Sequence, residues 1–189
     1  MVAAAATRGD VTICDVTPKH LESITAKLRE AGATVEEGDE YVRVKMNGRP
    51  SSCNVKTMPH PGFPTDMQPQ FATLLALADG TSVVTEGVWD SRFRYAEQLT
   101  FMGADFKVDG KTAVIKGVKG LKAAKVTAND LRAGAAMIIA GLVADGTTEI
   151  DSIDYIDRGY EMVVEKFSAL GADIKRISVP DGVTVLKAN

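Results

Sequence analysis

The stretches "LLALADGTSVV" (Leu74–Val84) and "IAGLVADGTTEI" (Ile139–Ile150) share one pattern, in which an apolar run leads into Asp-Gly and then into a short strand-like segment. A third copy is "AAAATRGDVTI" (Ala3–Ile13), where Arg-Gly replaces Asp-Gly. The apolar run is typical of a helix, and the β-branched residues after glycine are typical of a strand. Three copies of such a phrase predict a fold built from repeats.

A second phrase alternates with the first and also passes from an apolar helix through glycine to a strand. Its copies are "LREAGATVEE" (Leu28–Glu37), "LTFMGADFKV" (Leu99–Val108) and "FSALGADIKRI" (Phe167–Ile177). Six of the 17 glycines mark these phrases: Gly9, Gly80 and Gly146, then Gly32, Gly103 and Gly171, with gaps of 23, 23 and 25 residues inside the copies. We predict that all six end helices in the left-handed conformation, which only glycine adopts without penalty.

Each predicted unit reads helix, strand, helix, strand, strand. The last strand of each unit is expected at Tyr41–Met46, Thr112–Lys116 and Val183–Lys187. A unit of this size cannot bury its helices alone, so we expect three units to pack around a shared axis. The prediction is an α/β (α+β) fold in one domain, 1–189, with repeats near 1–55, 56–122 and 123–189.

The first unit starts late. Gly80 and Gly146 each lie 14 residues after a polar residue at a predicted helix start, Asp66 and Arg132, whereas only eight residues precede Gly9. We therefore expect the first repeat to be truncated and the chain to be a piece of a larger protein.

The composition argues against several classes of protein: nucleic-acid-binding, membrane-spanning and cysteine-ligated metal proteins. Lys and Arg number 22 against 25 Asp and Glu, a net charge of -3, which favours neither nucleic acid nor an anionic membrane as partner. The longest apolar run, Ala133–Ala144, is too short to span a bilayer and predicts a buried helix. Cys14 and Cys53 fit no metal-ligand spacing, so we expect two reduced, buried or half-buried cysteines in a cytoplasmic protein.

Four polar residues stand at predicted helix starts. Asp66 and Arg132 begin the first helices of units two and three, and Arg92 and Arg158 begin the second helices. Helix N-termini attract anions, and arginine there is locally unfavourable to the helix. Arginines at matching places therefore suggest a site where guanidinium groups bind phosphate or carboxylate oxygens through paired N–H donors.

Each of these residues also has a purely structural interpretation. Asp66 can simply favour the helix dipole, and on position alone this is the stronger interpretation. Arg132 can pair with Asp130, and Arg158 with Asp157 or Glu161, since weak surface ion pairs of this kind are common. Arg92 can simply be solvated. Recurrence in a repeat weakens these alternatives without removing them.

The segment "PHPGFPTDMQ" (Pro59–Gln68) is dense in turn-forming residues. A rigid loop that delivers Asp66 to a helix start can position a general base. His60 has no identifiable partner and is expected to pack or to be exposed. Pro69 conflicts with a helix that starts near Asp66, because proline beyond the first turn removes a hydrogen bond. No phosphate-binding glycine loop, dinucleotide motif or metal-ligand cluster is present, so no cofactor or metal is expected.

The stretches "PHPGFPTDMQ", "SRF", "NDLRA" and "IDRGYE", in this order and spacing, resemble the UDP-N-acetylglucosamine enolpyruvyl transferase family over essentially the whole chain. That family has two domains, each a threefold βαβαββ repeat of the inverse α/β barrel type. The resemblance places this chain in the C-terminal domain, so the N-terminal domain would be its missing partner. Ser91 departs from the family, which usually has Asn there.

The resemblance implies transfer of the enolpyruvyl group of phosphoenolpyruvate to the 3-hydroxyl of UDP-N-acetylglucosamine, an early step of bacterial peptidoglycan synthesis. Asp66 would match the base that contacts that hydroxyl, and Val88 a residue whose backbone contacts the UDP-sugar. Arg92, Arg132 and Arg158 would line the phosphate and carboxylate side.

The family's Lys-Asn pair and its loop cysteine lie in the other domain, and neither Cys14 nor Cys53 matches that cysteine. We therefore predict that this chain is inactive alone. Two alternatives stay open: a 3-phosphoshikimate 1-carboxyvinyltransferase-like enzyme, and a repeat module without catalysis.

Overall fold

In the computed structural model, which describes residues 1–178 and 184–189, the strands form four β-sheets, three of three or four strands and one of two, around three mutually contacting helices. The first unit contains α1 (Val2–Ala6), β1 (Asp10–Cys14), α2 (Glu22–Glu30), β2 (Thr34–Glu37) and β3 (Tyr41–Lys45). The second contains β4 (Val55–Lys56), α3 (Gln68–Ala76), β5 (Thr81–Thr85), α4 (Tyr95–Phe101), β6 (Asp105–Asp109) and β7 (Thr112–Lys116).

The third unit repeats this order with small additions. A short strand β8 (Leu121–Lys122) precedes it and pairs with β10. The unit itself contains β9 (Lys125–Thr127), α5 (Leu131–Val143), β10 (Ala144–Asp145), β11 (Thr148–Asp151), α6 (Asp154–Asp157), α7 (Val163–Ala169), β12 (Ile174–Ser178) and β13 (Thr184–Ala188). Val183, the first residue of the predicted last strand, lies outside the described residues.

The three larger sheets, one for each unit, share one topology. Their strand orders are β1-β3-β2, β4-β5-β7-β6 and β9-β11-β13-β12. In the second and third sheets the leading strand runs parallel to its neighbour and all other pairs are antiparallel. The predicted order of helix, strand, helix, strand, strand is confirmed, and units two and three show the full βαβαββ pattern.

The core lies where α1, α3 and α5 meet. All nine residues of α3 are buried, and α5 has eight buried residues, as the long apolar run predicts. An almost wholly apolar helix such as α5 belongs in a protein interior, because it has little polar face to turn to water, and α3 buries Gln68, Gln70 and Thr73 together with its apolar residues. Pro69 is the second residue of α3, so it sits in the first turn and the expected conflict does not arise. No helix among the described residues is long and apolar enough to cross a membrane.

The second set of glycines ends helices as predicted. Gly32, Gly103 and Gly171 have φ of 94°, 90° and 96° and follow α2, α4 and α7 by two residues. At the first of them, the Gly32 amide donates to the Arg29 carbonyl and the next amide donates to the Leu28 carbonyl, both at 2.9 Å. The same two bonds recur at the other two glycines, so each helix ends in a Schellman motif.

The first set of glycines behaves differently, and the prediction for it is wrong in part. After α1 the left-handed residue is Arg8, at φ 57°, and Gly9 takes the following position. Gly80 and Gly146 do have positive φ, at 99° and 97°, but they lie beyond the helix ends, in the turns that start β5 and β11. A turn into a strand needs the same backbone freedom as a helix cap, so sequence alone does not separate the two.

The cysteine prediction is wrong for one residue. Cys53 is buried, and burial raises the pKa of its thiol to about 11, which keeps it protonated and unreactive. Cys14, however, is exposed at the end of β1. An alternating edge of a half-buried sheet turns every second side chain to solvent, and Cys14 falls on that side.

Candidate active site

Asp66 lies in a single 3₁₀ turn, Thr65–Met67, that leads directly into α3. Arg132 is the second residue of α5, and Arg92 begins another 3₁₀ turn, Arg92–Arg94, before α4. The structure thus places Asp66, Arg92 and Arg132 at starts of helical segments, on elements from two different repeats.

These three side chains meet. The Arg92 Nη2 donates to Asp66 Oδ1 at 3.1 Å, and the Arg132 Nη2 donates to Asp66 Oδ2 at 2.8 Å. The Asp66 side chain stays 53% exposed, whereas Arg92 is only 16% exposed. One carboxylate therefore faces solvent between two arginine forks, and the local charge is positive.

Arg132 also reaches Tyr160, whose hydroxyl accepts from Nη1 at 3.3 Å. Partial burial works against the cation, but the hydrogen bonds to Tyr160 and Asp66 prevail and raise the pKa of Arg132 above its usual value. The guanidinium is a permanent positive charge at this helix start.

Asp130 does not pair with the Arg132 guanidinium. Its carboxylate accepts from the backbone amides of Arg132 and Ala133, both at 2.8 Å, which is the N-cap of α5. Because the Asp130 carboxylate is occupied by this cap, the Arg132 side chain pairs instead with Asp66 of the second repeat.

Arg158 is placed differently from the prediction. It ends the short helix α6 and does not begin a second helix, because the second-helix region splits into α6 and α7. Its guanidinium carbon lies 6.0 Å from the centre of the Tyr155 ring. The suggested partners are engaged elsewhere, Asp157 with Arg176 at 2.6 Å and Glu161 with Lys166 at 2.9 Å.

Val88 lies on the loop between β5 and α4, and its amide donates to the Glu86 carboxylate at 2.9 Å. Glu86 is 1% exposed and also accepts from the Thr65 hydroxyl at 3.0 Å. Sequence analysis missed Glu86 and Tyr160. In the sequence, Glu86 is marked only as an acid between a β-branched strand and a glycine. An acid at such a place is usually solvated, so the pattern does not indicate a buried residue.

Two cavities meet at Asp66. One of 420 Å³ is shared by Asp66, Arg132 and Tyr160 and continues along apolar side chains of α1 and α5. The other, of 260 Å³, joins Asp66 to Val88, with His20 and His60 in its wall. Asp66 is thus positioned to touch a ligand that extends toward Val88 and an anionic group held on the arginine side.

No group of three or more His, Cys, Asp or Glu side chains arranged to hold a metal ion occurs in residues 1–178 and 184–189. The polar groups that converge at the site are arginines and one carboxylate. Such a set is suited to anionic organic ligands, because guanidinium forks match phosphate and carboxylate geometry.

Comparison with known proteins agrees with this chemistry. The family model described as EPSP synthase (3-phosphoshikimate 1-carboxyvinyltransferase) matches residues 1–167. A curated protein of Caldanaerobacter subterraneus subsp. tengcongensis, UDP-N-acetylglucosamine 1-carboxyvinyltransferase 3, is 58% identical over 177 residues, which cover 94% of this chain and 42% of that protein.

Two further relatives give the same picture. The UDP-N-acetylglucosamine 1-carboxyvinyltransferase of Desulfofundulus thermocisternus is 54% identical over 93% of this chain and 72% of its own length. The crystal structure of the enolpyruvyl transferase NikO from Streptomyces tendae superimposes with a TM-score of 0.82 at 26% identity, over 91% of this chain and 42% of NikO. The chain therefore spans less than half the length of the Caldanaerobacter protein and of NikO.

Proposed function

The chain belongs to the UDP-N-acetylglucosamine 1-carboxyvinyltransferase family of enolpyruvyl transferases, and we propose that it supplies one wall of an active site that joins phosphoenolpyruvate to UDP-N-acetylglucosamine. The enolpyruvyl group is transferred to the 3-hydroxyl of the sugar, and inorganic phosphate leaves. The observation that carries this proposal is the exposed Asp66 carboxylate between Arg92 and Arg132.

Asp66 is the proposed base. The sugar hydroxyl adds to the enol carbon while the C=C π bond breaks and the methylene carbon takes up a proton, and that carbon loses a proton again when phosphate leaves. The addition requires loss of the hydroxyl proton, and a carboxylate at an open helix start is available to accept it. Its two ion pairs are exchangeable, because anionic substrate groups offer the arginines alternative partners.

Arg92 and Arg132 are proposed to bind the phosphate and carboxylate of phosphoenolpyruvate and of the tetrahedral adduct formed from it. Fixed cations aimed at a charged intermediate stabilise it without reorganisation. Arg158 is exposed beside Tyr155, and we propose that it turns to the same anionic groups when substrate is present.

Val88 is proposed to contact the UDP-sugar through its backbone. Its amide is already bonded to Glu86, so the carbonyl oxygen is the group available to a ligand. The cavity between Asp66 and Val88 supports this, because both residues line it.

By family resemblance the reaction belongs to peptidoglycan synthesis, and with it to cell-wall formation, cell shape, division and the cell cycle, in the cytoplasm. A second domain of the family type would close the site from the opposite side. Each of these assignments depends on the proposed reaction.

The reaction is tested with a fusion in which this chain replaces the matching 177 residues of the Caldanaerobacter protein. We expect phosphate release from phosphoenolpyruvate that depends on UDP-N-acetylglucosamine. Asp66→Ala in the fusion should abolish kcat while the melting temperature stays within a few degrees of the unsubstituted fusion. Near-normal kcat would reduce Asp66 to a residue that only favours the helix dipole.

The family model's own description suggests shikimate 3-phosphate as a second acceptor, and the same assay distinguishes the two. Turnover with shikimate 3-phosphate but not with UDP-N-acetylglucosamine would show that the proposed acceptor is wrong. Absence of turnover with both acceptors, in a folded fusion, would favour the module without catalysis.

A further inference from the structure

Glu86 carries an unusual set of bonds for a buried carboxylate. It is 1% exposed, and no ion pair among the described residues includes it. Four groups donate to it: the hydroxyls of Thr57 at 2.6 Å and Thr65 at 3.0 Å, and the amides of Val88 at 2.9 Å and Trp89 at 3.1 Å. Neutral donors thus compensate a charge that is costly to bury.

These donors come from three separate segments. Thr57 follows β4, Thr65 immediately precedes Asp66 in the 3₁₀ turn, and the two amides belong to the loop after β5. The loop is drawn closely to Thr57, whose hydroxyl also accepts from the Gly87 amide at 2.8 Å. One carboxylate therefore fixes the distance between the segment of Asp66 and the segment of Val88.

The other repeats lack this arrangement. β1, β5 and β11 are equivalent strands, and the residues that directly follow them are Asp15, Glu86 and Ser152. Asp15 and Ser152 are exposed and left-handed, with φ of 57° and 56°. Only the repeat that carries Asp66 turns an acid inward at this place, so the feature is not a requirement of the shared fold.

Burying a carboxylate is a poor means of adding stability, because desolvation offsets what the hydrogen bonds return. What four converging bonds do provide is a single geometry for the groups they join. We propose that Glu86 is a positioning residue, which holds Asp66, through Thr65, and the Val88 backbone in register for one substrate. The assignment deepens the proposed function and rests on it for its catalytic consequence.

The positioning itself is tested in the 189-residue chain, without substrate. In Glu86→Ala, amide hydrogen exchange at Val88 and Trp89 should become about tenfold faster or more, because both amides lose their acceptor. The Asp66 carboxyl carbon resonance should shift at the same time. Glu86→Gln retains an acceptor oxygen of the same shape and should restore most of both signals.

Ser82→Ala is the matched control. Ser82 lies on the same strand, is fully buried, and accepts from the Cys53 amide at 3.2 Å, away from the site. This substitution should lower the melting temperature but leave the signals of Val88, Trp89 and Asp66 unchanged. If Glu86→Ala does not fold, Thr65→Val serves in its place. It removes only the hydrogen bond from the Thr65 hydroxyl to Glu86 and should shift the Asp66 resonance alone.

The catalytic consequence is measured in the fusion protein. Misplacing a reacting group costs rate more than binding, so Glu86→Ala should lower kcat about ten- to a hundredfold with a smaller change in KM. Glu86→Gln should recover most of kcat, and Ser82→Ala should leave it unchanged. An inactive fusion would overturn the proposed function, while the exchange data would still decide the positioning. Unchanged exchange and resonances in Glu86→Ala, or equal kcat losses in Glu86→Ala and Ser82→Ala, would overturn the inference.

Discussion

At the scale of single residues, the site is one carboxylate shared by two arginines. Asp66 forms ion pairs with Arg92 and Arg132 at 3.1 and 2.8 Å. The same carboxylate must release them when an anionic ligand arrives. Asp66 therefore both orients the two arginines and competes with the anion that the site is proposed to bind.

This competition predicts that Asp66→Asn binds inorganic phosphate more tightly than the unsubstituted chain. Removing the carboxylate frees two guanidinium groups, but the ion pairs are partly exposed, so the gain should be only about 0.5–1 kcal/mol, or two- to fivefold in Kd. The measurement is a phosphate titration followed at the Arg92 and Arg132 amide resonances. Asp79→Asn makes the same charge change at an 82% exposed residue whose ion pair is with Arg49, not with Arg92 or Arg132, and should have no effect. Equal tightening in both variants would reduce the effect to overall charge.

The sequence placed Asp66 and Arg132 at equivalent helix starts, and the family resemblance, not the recurrence, assigned them to one site. The predicted place of Arg158 at the start of a second helix is wrong, because the helix there divides into α6 and α7 and equivalence by position along the chain breaks down. Glu86 was missed for a related reason. Whether an acid after a strand turns inward depends on donors from segments distant in the chain.

At the scale of elements, four helices end in the same hydrogen-bond pattern, but with different residues. α2, α4 and α7 use glycine at the left-handed position, whereas α1 uses Arg8. A side chain in that conformation costs about 1–2 kcal/mol relative to glycine. The phrase repeat located the helix ends, but only the backbone shows which residue takes the strained position.

We predict opposite effects of two substitutions at these equivalent places. Gly103→Ala should lower the free energy of unfolding by about 1 kcal/mol through backbone strain alone, since an added Cβ would meet no atom within 4 Å. Arg8→Gly should raise it by about 0.5–1 kcal/mol. Urea unfolding followed by circular dichroism measures both. A stabilising Gly103→Ala would contradict the strained-cap interpretation.

The pair Asp157–Arg176 links α6 to β12 and gives stability a defined pH dependence. The Arg176 fork, bonded at 2.8 and 2.6 Å, lowers the pKa of Asp157 below its usual value. A depressed carboxyl pKa stabilises the fold above the unfolded pKa of about 3.9 and loses that effect as pH falls through the lower folded value.

Asp157→Asn should therefore reduce the free energy of unfolding at pH 7 by no more than about 1 kcal/mol, because both partners are partly exposed. The difference from the unsubstituted chain should begin to shrink near pH values of about 3.9 and vanish below the lower pKa that Asp157 has in the folded chain. Denaturant unfolding at a series of pH values checks this. Arg176→Gln should show the same loss, and the double variant should lose little more. A difference that persists at low pH would exclude this pair as its cause.

At the scale of the whole molecule, the repeat places its chemistry at a junction. Asp66 and Arg92 belong to the second unit and Arg132 to the third, so the site exists only because neighbouring units pack with their helix starts together. Within the third unit a glycine makes the helix packing close: an added Cβ at Gly134 of α5 would lie 2.5 Å from Ile156 of α6. Periodicity in the sequence indicated the packing, but not these contacts.

The junction is open to solvent in this chain, and from this we predict that the 189 residues alone release no phosphate from phosphoenolpyruvate and UDP-N-acetylglucosamine. The Asp66 side chain is 53% exposed, and enolpyruvyl transfer needs a site from which water is excluded and charges are fixed. The chain spans 42% of the Caldanaerobacter relative, whose remaining length is available in the fusion to cover this face. The purified chain and the fusion are compared at equal concentration in the phosphate-release assay, with Asp66→Ala as the background. Turnover by the chain alone, above that background, would mean that these residues already complete the active site.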